Sequence, residues 1–232
     1  MEELNIKITV AIDGPAAAGK STVAKRVAEI KGYTYIDTGA MYRAFTWYCL
    51  KKGVDCQNEE QCCALIPEVK IKLRPGHIVL CNDIDVTTDI RQPIVSGNVS
   101  YIASYKAIRL FLVDQQREMA GKHSVIMDGR DIGTYVLPNA DVKIFQIASV
   151  ETRAIRRYDE NISKGIPCTL EEIEEDVRKR DYIDSHRDFA PLKPAADSIL
   201  LDTSFMSVEE VVNAVIEIID KKIKEKEEAT NA

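Results

Sequence analysis

Residues Gly14-Pro15-Ala16-Ala17-Ala18-Gly19-Lys20-Ser21 constrain this chain more than any other stretch. They follow an apolar run, Ile6 to Ile12, that alternates as a strand does. They precede Thr22 to Ile30, where apolar residues recur at helical spacing. Strand, then G-x-x-x-x-G-K-[ST], then helix is the context of a phosphate-binding loop. The two glycines let the backbone turn tightly and bring its N–H groups close to an anion. The helix start adds unpaired N–H groups and the positive end of its dipole. Lys20 is spaced to reach β and γ phosphates, and the Ser21 hydroxyl to ligate Mg²⁺. A Gly-rich turn that merely joins strand to helix would leave the lysine and both flanks unexplained. The stretch implies a nucleoside triphosphate and does not say what is done with it.

The remainder of the chain bounds the class. Its 232 residues make one large domain or a core with insertions, and 45% apolar content is enough for a buried core. No apolar run approaches the ~20 residues that span a bilayer. The start, Met1-Glu-Glu-Leu4, has no basic n-region, so no secretory signal is expected. Six cysteines without C-x-x-C spacing read as reduced thiols of a cytoplasmic protein. His77, His123 and His186 show no metal-ligand pattern. A net charge of −6 gives no support to a nucleic-acid surface. Yet six of the thirteen arginines (Arg153, Arg156, Arg157, Arg178, Arg180, Arg187) fall between Val150 and Ala190. The guanidinium fork matches phosphate, which suggests a small polyanion. Solvated helix faces paired with Glu171, Glu172, Glu174 and Glu175 are the alternative that composition leaves open.

Local patterns predict strands at Tyr33–Ile36, Ser124–Met127, Val142–Ala148 and Ser198–Leu201. Helices are expected over Thr38–Leu50 with Thr38 as N-cap, Glu59–Ile66, Tyr105–Ala120, Val150–Lys164 and Leu170–Arg187. Ile108, Leu112, Gln115 and Met119 share one face of the Tyr105–Ala120 helix. Pro93–Ser104 is ambiguous, with a short helix as one reading. Val69 to Leu73 alternates, and a turn at Arg74-Pro75-Gly76 returns it as a hairpin through Cys81. Ser207 opens a capping box with Glu210, and that helix buries Val208, Val211, Val212, Val215 and Ile219 before a frayed tail from Lys224 to Ala232. Five strands joined by helical crossovers imply an α/β fold, a parallel sheet flanked by helices with its crevice at the strands' carboxyl ends. The hairpin reads as an insertion.

Three further stretches fall at those strand ends. Thr38 with Arg43 can present a hydroxyl, N–H groups and a guanidinium to one phosphate; a capped helix with an exposed arginine explains the same residues. In Asp128-Gly129-Arg130-Asp131, Asp128 closes a strand where phosphate-loop enzymes keep a carboxylate near Mg²⁺. Arg180, Asp184 and Arg187 share a helix face, as a surface ion-pair ladder also would.

Ile12–Thr22, Asp37-Thr-Gly-Ala-Met-Tyr-Arg43, Asp128-Gly-Arg-Asp-Ile-Gly-Thr134 and the run Arg180, Asp184, Arg187, Ala190-Pro-Leu192 together resemble the bacterial cytidylate kinases, in order and spacing, over nearly the whole chain. Ala17 stands where many members have Gly or Ser, which asks an alanine to tolerate the loop's backbone. The resemblance implies transfer of the γ-phosphoryl group of ATP to CMP or dCMP with Mg²⁺. With the composition, it goes with the expectation of a monomer in the cytoplasm, without nucleic-acid or membrane partners. It implies that Gly14, Pro15, Ala16, Ala17, Ala18, Gly19, Lys20, Ser21 and Thr22 hold the ATP phosphates, with Ser21 and Asp128 at the metal. Thr38, Arg43, Arg130 and Arg187 would grip the CMP phosphate. Ser100, Arg109 and Asp131 would read cytosine, and Asp184 with Arg180 the ribose. Lys20, Arg130, Arg180 and Arg187 would serve catalysis together with Arg153 and Arg157 from a mobile lid, in which Arg156 also lies and whose arginines would close over the transferring phosphoryl group. The implied organisation is a core (1–37, 105–149, 188–232), a monophosphate-binding region (38–104, with an insertion at about 67–92) and a helical lid with its returning helix (150–187). Kinases of UMP, AMP or shikimate are the nearest alternatives. A GTPase switch lacks its N-K-x-D motif here, and a non-catalytic binding module would not turn over.

Overall fold

A computed structural model describes residues 6–121 and 123–230. The acidic start Met1–Leu4 and the last two residues of the tail lie outside the described residues. In chain order, β1 (Thr9–Asp13) leads through the phosphate loop into α1 (Lys20–Lys31), then β2 (Thr34–Asp37), α2 (Thr38–Lys51) and α3 (Glu59–Ala64). A small antiparallel sheet follows, β3 (Ile71–Arg74), β4 (Ile78–Cys81) and β5 (Ile84–Asp85). Next come α4 (Pro93–Ser104), α5 (Lys106–Ala120), β6 (Val125–Gly129) and β7 (Val142–Ile147). The chain ends with α6 (Val150–Ser163), α7 (Leu170–His186), β8 (Ile199–Asp202) and α8 (Val208–Thr230).

Five strands form a parallel sheet in the order β2-β6-β1-β7-β8. One face packs on Val23 and Val27 of α1 and Val211 and Val215 of α8. The other packs on Val113 of α5 and on Ile132 and Val136 of a wide helical turn at Ile132–Val136. Central β1 is therefore covered on both sides, and Val10, Ala11 and Ile12 are all fully buried. The expected alternation gives way to continuous burial, as a parallel central strand requires. A separate core gathers around α2, where Met41, Phe45 and Cys49 meet Ile71, Val79 and Cys81 of the small sheet and Ile90.

Several elements differ from the sequence expectation. Thr38 is not the N-cap of α2. The Asp37 carboxylate takes that place, accepting from Ala40 N–H at 2.7 Å. A carboxylate one residue earlier reaches the first-turn donors, which frees the Thr38 hydroxyl for another partner. The small sheet has a third strand, joined through Asn82 (φ 51°) and Asp83 (φ 62°). An Asn-Asp pair with two positive φ angles is a hairpin signal, masked here because β5 has only two residues. Pro93–Ser104 is a regular helix, entered through Pro93 in its first turn. The inward stripe of α5 runs through Arg109 and Gln116 rather than Gln115, because the charged Arg109 finds a carboxylate inside. Helix α8 continues to Thr230 where fraying was expected. Lys226 pairs with Asp141 at 2.5 Å, tying the last turns to the loop before β7. Val208, expected inside, is 45% exposed at the first position of that helix.

Candidate active site

A cavity of about 490 Å³ opens at the carboxyl ends of β2 and β6 and against the phosphate loop. The loop's shape is fixed by its backbone. Gly14 lies at φ 152°, and a Cβ there would stand 1.9 Å from the Gln146 carbonyl oxygen. That neighbour is the backbone of β7 and cannot swing aside. Gly14→Ala is expected to cost about 3 kcal/mol or more, from strain and overpacking together. Gly53→Ala, at φ 71° in open space, is expected to cost only ~1–2 kcal/mol. Urea midpoints of the two variants measure the contrast. Ala17 takes φ 58°, the backbone demand anticipated for it. Gly19 at φ 88° leads into α1, whose first N–H groups have no side-chain cap.

Ala17 to Thr22 line the cavity, and Gly14, Pro15 and Ala16 are not among its lining residues. Lys20 is buried and donates through Nζ to the Pro15 carbonyl at 2.7 Å. Burial, and then the neighbouring Arg130 charge, hold its pKa well below the ordinary lysine value. The Ser21 hydroxyl donates to Asp128 Oδ2 at 2.7 Å, and the Tyr35 hydroxyl to Asp128 Oδ1 at 2.6 Å. Burial, then the nearby Asp37, raise the Asp128 pKa. One hydroxyl beside one carboxylate suits Mg²⁺, which keeps several waters and takes its other oxygens from phosphate. Among the described residues no group of three or more His, Cys, Asp or Glu side chains forms a metal site.

Parallel pairing sets Asp37 beside Asp128 at the ends of β2 and β6. Asp37 holds Arg43 at 3.2 Å and Arg91 at 2.8 Å. Burial alone would raise its pKa, but Arg43 and Arg91 outweigh it and keep the carboxyl below its usual range. Thr38 donates its hydroxyl to the Asp128 carbonyl at 2.7 Å. Beyond β6, Arg130 donates Nε to Asp184 at 2.8 Å. Burial works against the Asp184 charge, and Arg130, Arg187 and Arg180 overcome it. Arg180 is pushed down to about 10, by burial first and Arg130 second.

The far end of the cavity is built on Asp131. It accepts from Arg109, and Arg187 Nη2 stands 3.5 Å from its other oxygen. Arg109 also donates to the Ala103 carbonyl at 2.8 Å, and Arg187 to the Ala190 carbonyl at 2.8 Å. Ser100 of α4 lines the same end and is buried. Behind it, Asp13 accepts from Ile132 N–H at 2.8 Å and Gly133 N–H at 2.7 Å, with burial raising its pKa to about 7.

The structure thus brings Lys20, Ser21, Thr38, Arg43, Ser100 and Arg109 to one cavity with Asp128, Arg130, Asp131, Arg157, Arg180, Asp184 and Arg187. Arg153 does not join them; it is buried beneath the phosphate loop. Sequence reasoning assigns no role to three contributors. Tyr35 had a signal, since period two puts it on the Asp37 face of β2. Asp13 sits inside the quoted loop motif. Arg91 has no motif around it. Arg156, expected in the lid with Arg153 and Arg157, lines the cavity and donates to the Thr203 carbonyl at 2.7 Å. Nine cationic side chains face six carboxylates in this cavity, on a chain whose net charge is −6. Arg180 Nε and Arg187 Nη2 are buried without a hydrogen-bond partner among the described residues. Such leftover donors suit an anionic ligand.

The sequence profile of the cytidylate kinase family matches residues 10–221. The cytidylate kinases of Anoxybacillus flavithermus and Geobacillus kaustophilus are each 51% identical to this chain over 220 residues, 94% of this chain and 98% of theirs. That of Lactiplantibacillus plantarum is 50% identical over 218 residues, 93% of this chain and 96% of its own length. A crystal structure of an uncharacterized protein from Eubacterium ventriosum superposes with a TM-score of 0.53 at 15% identity, covering 92% of this chain and 99% of the other; that likeness speaks to the fold alone.

Proposed function

Because the chain belongs to the cytidylate kinase family, we infer that its cavity is where the γ-phosphoryl group of ATP passes to CMP. The enzyme is an ATP-dependent kinase of CMP. The observation that carries the assignment of this cavity is its excess of cations around a phosphate loop, with a second set of arginines at the opposite end. One nucleotide needs the loop alone; two facing phosphate groups need both.

In this reading Gly14 through Thr22 hold the ATP phosphates, and Lys20 spans the β and γ groups. Ser21 and Asp128 hold Mg²⁺, which when bound neutralises charge on the phosphate oxygens. Thr38, Arg43, Arg130 and Arg187 hold the acceptor phosphate, and Arg91 joins them through Asp37. Asp184 and Arg180 take the ribose. Ser100, Arg109 and Asp131 face the base. Arg157 reaches over the cavity from α6. No general base is required, because a phosphate oxygen of CMP is already an anionic nucleophile at neutral pH. Arginines positioned around the transferring group do the electrostatic work, and a lid over residues 150–187 keeps water out. In this reading residues 1–37, 105–149 and 188–232 form the core and residues 38–104 the monophosphate-binding region. Acceptors are CMP and dCMP, and the enzyme works as a cytoplasmic monomer without nucleic-acid or membrane partners. No helix among the described residues is long and apolar enough to cross a membrane.

A coupled assay of ADP formation with CMP, dCMP, UMP, AMP, GMP and shikimate tests the reading. CMP and dCMP should give the highest kcat/KM; a larger value for any of the others would overturn it.

A further inference from the structure

Ala16, in the middle of the phosphate loop, is gripped from the side away from the cavity. Its N–H donates to Asp181 Oδ1 at 3.3 Å, and its carbonyl accepts from Arg153 Nη1 at 3.0 Å. Arg153 and Asp181 close the ring through their own ion pair at 2.6 Å. Arg153 is 4% exposed and also donates Nε to the Ala148 carbonyl at 2.9 Å, just past β7. Ala17, the next loop residue, has φ 58° and packs against Ala154, Ile173 and Val177, the small core between α6 and α7. Left-handed backbone is strained at a residue with a Cβ. It persists where the surroundings over-determine it.

From these contacts we propose that Arg153 and Asp181 are positioning residues, which act through the Ala16 backbone to hold the phosphate loop in the shape that receives ATP. The proposal rests on the kinase reading above. It gives Arg153 a role other than contact with the transferring phosphoryl group. A guanidinium is needed because it donates to Ala148 O and Ala16 O through two of its nitrogens while its charge pairs with Asp181. The same ring fastens α6 and α7 to the loop. Arg157 lies one turn beyond Arg153, and Arg180 adjoins Asp181, so the ring also sets where those two arginines stand relative to the bound phosphates.

The test uses Arg153→Met, Asp181→Asn, the double variant and Arg153→Lys. Readouts are the Kd for ATP without acceptor, kcat, the KM for ATP and for CMP, and the melting temperature. Each single variant should raise Kd and KM for ATP about tenfold, the scale of one charge-assisted hydrogen bond. The KM for CMP should stay within about twofold, and the double variant should be no worse than the worse single, since either change opens the ring. Arg153→Lys should recover little. Equal rises in both KM values with a matching loss of melting temperature would overturn the proposal in favour of plain structural support. An additive double variant would overturn it too. So would a kcat loss of about a hundredfold in Arg153→Met with ATP Kd intact and Asp181→Asn neutral, which would make Arg153 catalytic. Failure of the kinase reading itself would appear instead in the wild-type enzyme, as no CMP-dependent ADP formation.

Discussion

Lys20→Ala is expected to leave a folded protein whose turnover falls by about a hundredfold or more, the scale of losing one preorganised charge at the transition state. The ammonium is buried at the base of the loop and donates to the Pro15 carbonyl at 2.7 Å. Burial and the Arg130 charge both disfavour its protonated form. That cost is borne by the folded state so that a cation stands ready where phosphate charge accumulates. Removing it gives up one hydrogen bond worth about 1 kcal/mol and the attraction of Asp128, Asp13 and Asp184, and against that relieves a desolvated charge. The melting temperature should therefore stay near that of the wild type. ATP should still bind, since the loop's N–H groups and the start of α1 remain, so the loss should fall mainly on kcat. Retention of more than about a tenth of wild-type turnover, only ~1.4 kcal/mol of barrier, would contradict this role for Lys20.

What was legible beforehand was local. The phosphate loop is one contiguous strand, turn and helix, so its motif carries the geometry within itself, down to the demand on Ala17. The parallel five-stranded sheet followed from strands separated by helices. Its order did not, because β6 slips between β1 and β2 through pairings that no local pattern encodes. The arginines show the same limit more sharply. Arg153 and Arg157 are four residues apart on α6 and share a face by periodicity. Yet Arg153 is buried under the loop with Ala16 and Ala148, while Arg157 reaches Ser96 of α4 at 3.4 Å. One charged stripe thus meets two different neighbours along its length, and only the packing of α6 separates them. Arg91 was invisible for a related reason: its partner Asp37 lies 54 residues away in the sequence. At the start of α2 two adjacent residues both suit an N-cap, and the Asp37 carboxylate rather than Thr38 takes the position.

Asp131→Asn is expected to narrow the preference for CMP over UMP by about tenfold or more in kcat/KM, the cost of leaving a buried polar group mispaired. Cytosine offers an N4 amino donor where uracil offers an O4 acceptor. An ionised carboxylate only accepts, so it suits cytosine and repels uracil, whereas an asparagine amide offers uracil a donor. The structure decides which substitution is informative. Asp131 sits between Arg109 and Arg187, all three nearly fully buried. Alanine would strand two guanidinium groups and cost about 3–5 kcal/mol, so lost activity would only report misfolding. Asparagine keeps one acceptor oxygen and the side chain's shape. The choice also separates the two roles open to Asp131. If it only braces Arg109 and Arg187, both nucleotides should suffer alike, because both use the same walls of the cavity. If it reads the N4 position, CMP should lose most and UMP should hold or improve, with the KM for ATP within about twofold, since the phosphate loop is untouched. Measuring kcat/KM for both nucleotides in both proteins, after matching their urea midpoints, distinguishes these outcomes. A ratio that does not move would mean that the base is recognised elsewhere, with Ser100 the next side chain to change.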